Sequence, residues 1–461
     1  MLQFDQSLLM ECYRGCGKPA VPPELLLRIA LFEILDGRPS PAQWFRDIPV
    51  NDNLKYLGRL ITPARSTCYE FRIRLGKVMD EVHQQLLSIA QVTDVLDPTE
   101  GVLDGSYFRA LGSRHRVLNE GQLNDRAAQL EEAIANPEPA PDQELPKWMG
   151  STPSGRQRQR QRINKALEVM EQRQLENSQR PKDKQLLRQN VLVSPSDPEA
   201  ILTRDKEKVF CPVYNVQNLV DPKSLLILTT EVFASATDSR KLGIIIDRAN
   251  RMLNHSLSEV WADAGYCSIL DIQDAQARDV ELYAPFQSNS MTEKKKQAKG
   301  PQQISREQFT YLEDKNVYRC PEGHEAAYVD KQQVWRSGNE RLTEYRYRMN
   351  AAHCSDCPLK AQCLRPTSKS RTIKRLEGSQ LIDDMKLKMA TDDGKARSRQ
   401  RGKIIERTFG DTKQNRSLRR YHGYGLSNAK VENGLVVLAQ NVMTLHRLQQ
   451  NLEKTTETAA A

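Results

Sequence analysis

Residues 210–233, FCPVYNVQNLVDPKSLLILTTEVF, decide the fold. Two runs rich in β-branched, aromatic and aliphatic residues flank Asp221, Pro222, Lys223 and Ser224, and that pattern predicts an antiparallel hairpin. Downstream, SRKLGIIIDRANRMLN (239–254) has helical spacing, and VWADAGY (260–266) returns to strand. Upstream, GVLDGSYFR (101–109) is another short run of β-formers. Strand, hairpin, helix and strand in that order predict an α/β fold: a mixed sheet with flanking helices. Asp104 and Asp263 each end an apolar run, as residues at strand tips would, and this order can place them on neighbouring strands.

A third acid, Glu406, lies in RGKIIERTFGDTK, a segment of helical period. Carboxylates gathered in one place repel one another unless a cation neutralises them, and hard oxygen donors select Mg²⁺ or Mn²⁺. Two such ions roughly 4 Å apart activate an attacking oxygen and stabilise a leaving oxygen in phosphoryl transfer. Taken singly, each acid is better read as an ordinary turn residue, for Asp104 and Asp263, or a solvated helix charge, for Glu406. Lys413 follows Glu406 by seven residues, two helical turns, so the two share a face. Ile404, Ile405 and Phe409 give this helix an apolar side, while Arg407, Arg416, Arg419 and Arg420 make it basic.

With these residues in view, the chain resembles bacterial insertion-sequence transposases of the DDE class, whose catalytic domain has the RNase H-like fold. LDGSYFRALGSR resembles the block around the family's first aspartate, YNVQNLVD its second and third strands, WADAGYCS the second-aspartate block, and ERTFGDTKQNRSLRRYHGYG the glutamate block. The family's Glu and Lys fall on Glu406 and Lys413. Its preceding Tyr and Arg positions are Arg399 and Gly402, with Arg401 standing in one residue early. The resemblance implies that Asp104, Asp263 and Glu406 bind two Mg²⁺ or Mn²⁺ ions, cutting the element end and then joining the freed 3′ end to target DNA. It further implies that Lys413 holds a phosphate. The implied partners are double-stranded DNA, as terminal inverted repeats and target, and a second copy of the chain in a homodimer on DNA. Two other readings stay open: a DDE-type nuclease that cuts without joining, and a non-catalytic DNA-binding relic.

The 461 residues exceed one ordinary core, so several domains are expected. The division read here is a helical N-terminal DNA-binding domain at 1–97 and the first part of the catalytic domain at 98–284, carrying a helical arm at about 115–195. An inserted Cys-rich, zinc-ribbon-like module at 285–395 follows, then C-terminal catalytic helices at 396–448 and a disordered tail at 449–461. With 68 basic against 59 acidic residues the net charge is +9. Such a surplus favours a polyanionic partner. No apolar run approaches the eighteen or so residues that span a bilayer, and the N-terminus lacks a basic-then-apolar signal. A cytoplasmic, nucleoid-associated protein is expected.

In the N-terminal domain, PPELLLRIALFEILDG reads as a helix, Ser40 with Gln43 as one capping box, and Thr67 with Glu70 as another. Arg72 and Arg74 lie near the start of the last helix and are candidate DNA contacts, together with Arg401, Arg407 and Arg416. Trp44, Phe45 and Phe71 read as core. In the arm, Leu167, Met170 and Leu175 mark an apolar seam, and Arg156, Arg158, Arg160 and Arg162 either track DNA or form a solvated helix face. PEPAPDQELP connects its two helices, and TEKKKQAKGPQQISR is a basic linker into the inserted module.

Cys320 in CPEGH and Cys354, Cys357 and Cys363 in CSDCPLKAQC supply four thiolates for a structural Zn²⁺, with His324 and His353 as possible substitutes. Asn215 and Gln217 alternate along their strand with two uses open, substrate contact or sheet hydrogen bonding. Trp261 suits core packing or base stacking, Asp221 a turn, and Asp238 the cap of the following helix.

Overall fold

The computed structural model describes residues 5–13, 19–136, 145–180, 182, 185–205, 208–286, 304–336 and 340–460. Its main sheet takes β1 (Glu100–Arg109), β2 (Ile201–Arg204), β3 (Phe210–Val220), β4 (Ile227–Phe233), β5 (Glu259–Trp261) and β6 (Glu281–Tyr283). The strand order is β2-β3-β1-β5-β6, with β4 pairing along β3 beyond β2. β3 and β4 form the expected hairpin, and β3 is antiparallel to β1. β1, β5 and β6 are mutually parallel.

Asp221 holds the hairpin turn as expected, its Oδ2 accepting the Ser224 and Lys223 amides at 2.6 and 3.2 Å. β3 lies between strands and is buried on both faces almost throughout. Its polar residues therefore need partners inside the protein. Asn218 accepts from Thr230 at 2.6 Å, and Thr230 in turn accepts from Asn433 at 2.6 Å.

A second, five-stranded antiparallel sheet follows β6 in the chain, in the order β11-β10-β9-β8-β7. It comprises β7 (Thr310–Leu312), β8 (Val317–Arg319), β9 (Glu325–Arg336), β10 (Glu340–Arg348) and β11 (Thr372–Leu376), and it has its own small core around Tyr318, Tyr347 and Ile373. The helices Ser379–Ala390 and Asp392–Gly410 then return the chain to the first sheet.

Among the described residues six helices precede β1, and their interior is continuous with that of the sheet: Ile29, Trp44, Phe71 and Leu86 share one apolar cluster with Leu103, Val216, Val260 and Leu435. The helix Leu426–Ala460 joins the two regions, with Leu435, Leu438 and Leu445 buried and Val442 packed beside them. It extends through residues 449–460, where sequence reading placed a disordered tail. Gly76 lets the Arg65–Leu75 helix approach closely, because a Cβ there would stand 2.3 Å from Val431 Cγ2. His83 is buried at the same junction, and burial pulls its pKa down to about 4, so the ring is neutral. Its Nε2 lies 2.9 Å from the Ile227 carbonyl oxygen, whose residue also donates its amide to Asn441 Oδ1 at 2.8 Å.

Several sequence expectations change here. The Ser40–Gln43 capping box forms, but Thr67 and Glu70 lie inside the Arg65–Leu75 helix, and Glu70 instead accepts from Arg74 at 3.3 Å. Phe45 is exposed, whereas Trp44 and Phe71 are core. Arg72 is 4 % exposed and donates to Glu432 at 2.8 Å, so it faces the C-terminal helix and not an outer groove.

The arm forms its helical hairpin from Glu120–Ala135 and Pro153–Ser178, closed by Leu123, Leu130, Ile163, Ala166 and Met170. Leu175 is outside that seam and exposed. The arginine run divides by helical phase: Arg156 is buried and Arg160 pairs with Glu131, while Arg158 and Arg162 are exposed. Most of the PEPAPDQELP connector and of the basic linker after Phe286 lies outside the described residues.

Removing the guanidinium of Arg72 leaves the buried Glu432 carboxylate without its arginine, held among the described residues only by the His422 amide at 2.8 Å and the His422 ring at 3.3 Å. Arg72→Ala is therefore expected to lower unfolding stability by roughly 3–5 kcal/mol, measured by urea denaturation. A variant as stable as the parent would return Arg72 to the surface role read from sequence.

Candidate active site

The last paired position between β1 and β5 is Val102↔Trp261. Asp104 and Asp263 each lie two residues beyond it, so strand alternation turns both to the same side at the same level. Asp104 sits in the middle of a ten-residue strand and not at a strand tip, because β1 continues along β3 to Arg109. Asp263 is separated from the end of β5 by one residue, Ala262, and its Oδ1 accepts the Gly265 amide at 2.7 Å.

Burial raises the pKa of both carboxyls. For Asp263 the neighbouring Asp104 charge raises it further, and for Asp104 the Arg401 guanidinium opposes the rise.

Asp238 joins them from the loop after β4, and this sequence reasoning missed. Its side chain caps no helix: Oδ1 accepts from Asn215 Nδ2 at 2.8 Å and from Gln217 Nε2 at 2.7 Å. Asn215 and Gln217 thus turn their side chains to a loop carboxylate and not to hydrogen bonding at the sheet edge, and the Tyr266 hydroxyl completes the row by donating to Gln217 Oε1. Gly105 makes room, since a Cβ there would lie 2.5 Å from Asp238 Oδ1 and 2.3 Å from Gln217 Nε2. Gly265 stands between the acids on the other side, its Cβ position 2.9 Å from Asp263 Oδ1 and 3.5 Å from Asp238 Oδ2. The only sequence signal for Asp238 was its place in a loop at the same end of the sheet.

The helix Asp392–Gly410 lies across β1, β5 and β6, and Thr391 caps it by accepting the Gly394 amide at 3.1 Å. Its inward positions recur about every four residues. Arg397 pairs with Glu259 and lies over the Tyr283 ring at 4.4 Å; Arg401 NH1 donates to Asp104 Oδ2 at 2.9 Å; Ile405 and Phe409 are buried. Trp261, beneath Arg397, is 5 % exposed and belongs to the core.

Glu406 comes five residues after Arg401, about 140° around the helix. It is exposed, and its side chain forms no hydrogen bond or ion pair among the described residues. A π-type turn, Asp411–Asn415, widens the chain before Lys413 and changes the helical phase. Lys413 Nζ accordingly lies on β1, 2.7 Å from Ser106 Oγ and 3.2 Å from the Tyr107 carbonyl oxygen.

Of the remaining basic candidates, Arg407 is exposed. Arg416 is held by Asp411 at 3.1 Å and by the Leu35 carbonyl, and Arg74 lies over the Tyr13 ring at 4.4 Å.

Among the described residues no group of three or more His, Cys, Asp or Glu side chains is arranged to hold a metal ion. What the sheet does offer is a facing pair of carboxylates, the donor type that Mg²⁺ uses alongside phosphate oxygens and water. In the inserted module the four cysteines are free thiols. Burial raises the pKa of Cys363, Arg371 opposes the rise, and Cys354, Cys357 and Cys320 all stand near enough to add to it. The Cys320 amide donates to the His324 carbonyl at 2.8 Å around Gly323, whose φ of 84° suits glycine. The His324 and His353 rings stack at 4.3 Å.

Residues 319–446 match the family described as Transposase DDE domain. The matched stretch contains Glu406 and Lys413 and leaves Asp104 and Asp263 outside it. The match supports a DDE-class transposase and a DNA substrate. No curated protein and no solved structure matches the chain. No helix among the described residues is long and apolar enough to cross a membrane.

Proposed function

We propose that this chain is the transposase of an insertion sequence, with an RNase H-like catalytic domain that binds the element's ends, cleaves DNA and joins the 3′ ends to a target. The observation that carries this reading is the equivalent placement of Asp104 on β1 and Asp263 just past β5, each two residues beyond the last pair of these parallel strands. The strand order supports the fold, with an antiparallel β4-β3-β1 half and a parallel β1-β5-β6 half. Asp104 and Asp263 hold the divalent ions, Mg²⁺ or Mn²⁺, while Glu406, exposed on the helix above and about 140° from the inward-facing Arg401, does not face them in this structure. When bound, the ions supply activation of the attacking oxygen and charge stabilisation at the leaving oxygen.

The chain's own groups do the remaining work. Asn215 and Gln217 fix Asp238 beside the two aspartates, so its charge adds to the field that attracts a cation. Lys413 meets a DNA phosphate at the edge of β1, and the exposed Arg407 extends that contact along the backbone. Arg74 and the exposed arginines Arg158 and Arg162 lie further along the proposed duplex path. The residue divisions read from the sequence serve as working units of a homodimer on paired ends. The four thiols of the inserted module bind a structural Zn²⁺, a reading that rests on their gathering about Cys363.

With the flanking genomic repeats, a target plasmid and Mg²⁺, the protein is expected to give both cut ends and joined products. Asp263→Asn should abolish both, by about a thousandfold or more, as loss of a principal charge-stabilising group does. Cut ends without joined products would favour the nuclease, and metal-independent cleavage would sink the proposal.

Zinc is tested separately by elemental analysis of the purified protein. One equivalent per chain is expected, lost in Cys354→Ser. A folded, zinc-free protein would refute the thiol assignment alone.

A further inference from the structure

We infer that Arg401 is the resident counter-cation of Asp104, a positioning residue that must surrender this carboxylate before a divalent ion binds and that passes its guanidinium to a DNA phosphate. The inference rests on the proposed role of Asp104 and Asp263 and adds a residue whose position changes as the site loads.

The contact is specific and sheltered. Arg401 NH1 lies 2.9 Å from Asp104 Oδ2, with the two side chains 19 % and 20 % exposed. Asp104 Oδ1 is already taken by the Gly105 amide at 2.7 Å. Each oxygen of the carboxylate therefore has one partner, and although each keeps a further lone pair, a divalent ion bound close to Oδ2 meets the guanidinium as a like charge. The Gly105 amide belongs to a paired strand and is fixed in place. The guanidinium sits at the end of a flexible side chain and can leave by rotation about its own bonds.

Charge explains why Arg401 occupies this place. The Asp238 charge acts on both Asp104 and Asp263, the Asp104 charge acts on Asp263, and burial disfavours the charged forms of Asp104 and Asp263. A guanidinium offsets that repulsion in the absence of a divalent ion. Once an ion of charge +2 is held by the same carboxylate, the guanidinium becomes a like charge at close range, and the two compete.

The arginine also has an unmet hydrogen-bonding group. Its Nε is buried and has no hydrogen-bond partner, a costly state for a donor. A guanidinium binds a phosphate through two parallel N–H groups, one of which can be Nε. A phosphate oxygen entering beside β1, where Lys413 already stands, satisfies the Nε that the contact with Asp104 leaves unused. Arg397, one turn earlier, is tied to Glu259 and holds the helix in place, so the exchange requires only the Arg401 side chain to move.

The test is Mn²⁺ affinity, read by electron paramagnetic resonance of the free ion with no reaction taking place. Arg401→Met should bind Mn²⁺ about tenfold more tightly than the parent, the ratio expected from removing one charge-assisted contact. Arg401→Lys, which keeps the charge, should fall between them, and it also serves as the measurement if the methionine variant folds poorly. A duplex oligonucleotide should raise the parent's Mn²⁺ affinity toward that of Arg401→Met and leave the variant unchanged. Equal affinity in parent and Arg401→Met, with binding lost in Asp104→Asn, overturns the role of Arg401 while leaving the two-aspartate site intact. No Mn²⁺ binding in any variant overturns both.

Discussion

Like charges do not gather without a reason, and the chain brings Asp104, Asp238 and Asp263 to one end of its main sheet. The parallel pairing of β1 with β5 sets the first and third at one level. The buried amides of Asn215 and Gln217 hold the second. The rest of the architecture follows from keeping that arrangement in place. Arg401 reaches in from above to offset the repulsion, and the helix that carries it is fastened at one end by Arg397 on Glu259 and at the other by Phe409 against Phe108, with ring centroids 6.2 Å apart. The N-terminal helices share the core beneath, so the sheet is supported from a side that sequence reading had given to a separate domain.

That sharing changes the meaning of several arginines. Arg72 and Arg416 look like surface cations in sequence, yet one is buried against Glu432 and the other binds Asp411 and the Leu35 carbonyl. Both tie the segments that flank the helix of the candidate site to elements hundreds of residues away in the chain. A basic residue used in this way supplies no charge to DNA, and what remains for that purpose is the outward set, Arg407, Arg158 and Arg162 among it.

Local pattern made much of the fold legible. The hairpin at 210–233, the helix at 239–254 and the return strand before Asp263 all follow from residue alternation, turn chemistry and helical period, and each forms where expected. The arm's two helices and the apolar stripe of the last helix were readable for the same reason. What pattern cannot carry is direction in space. Asp238 reads as a helix cap because its real partners lie more than twenty residues earlier in β3, and nothing local marks Gly105 as the gap it enters. Glu406 and Lys413 share a face on an ideal helix, but a π-type turn intervenes, and Arg401 takes the inward position.

The central claim is that one end of the main sheet holds divalent ions on Asp104 and Asp263. Its most direct measurement is affinity cleavage: Fe²⁺ substituted for Mg²⁺ generates hydroxyl radicals with ascorbate and peroxide, and mass spectrometry locates the backbone cuts. The account predicts cuts beside residues 104 and 263, with a further cut beside residue 238, all suppressed by excess Mg²⁺. Cuts confined to the cysteine module, or spread without regard to β1 and β5, would contradict it.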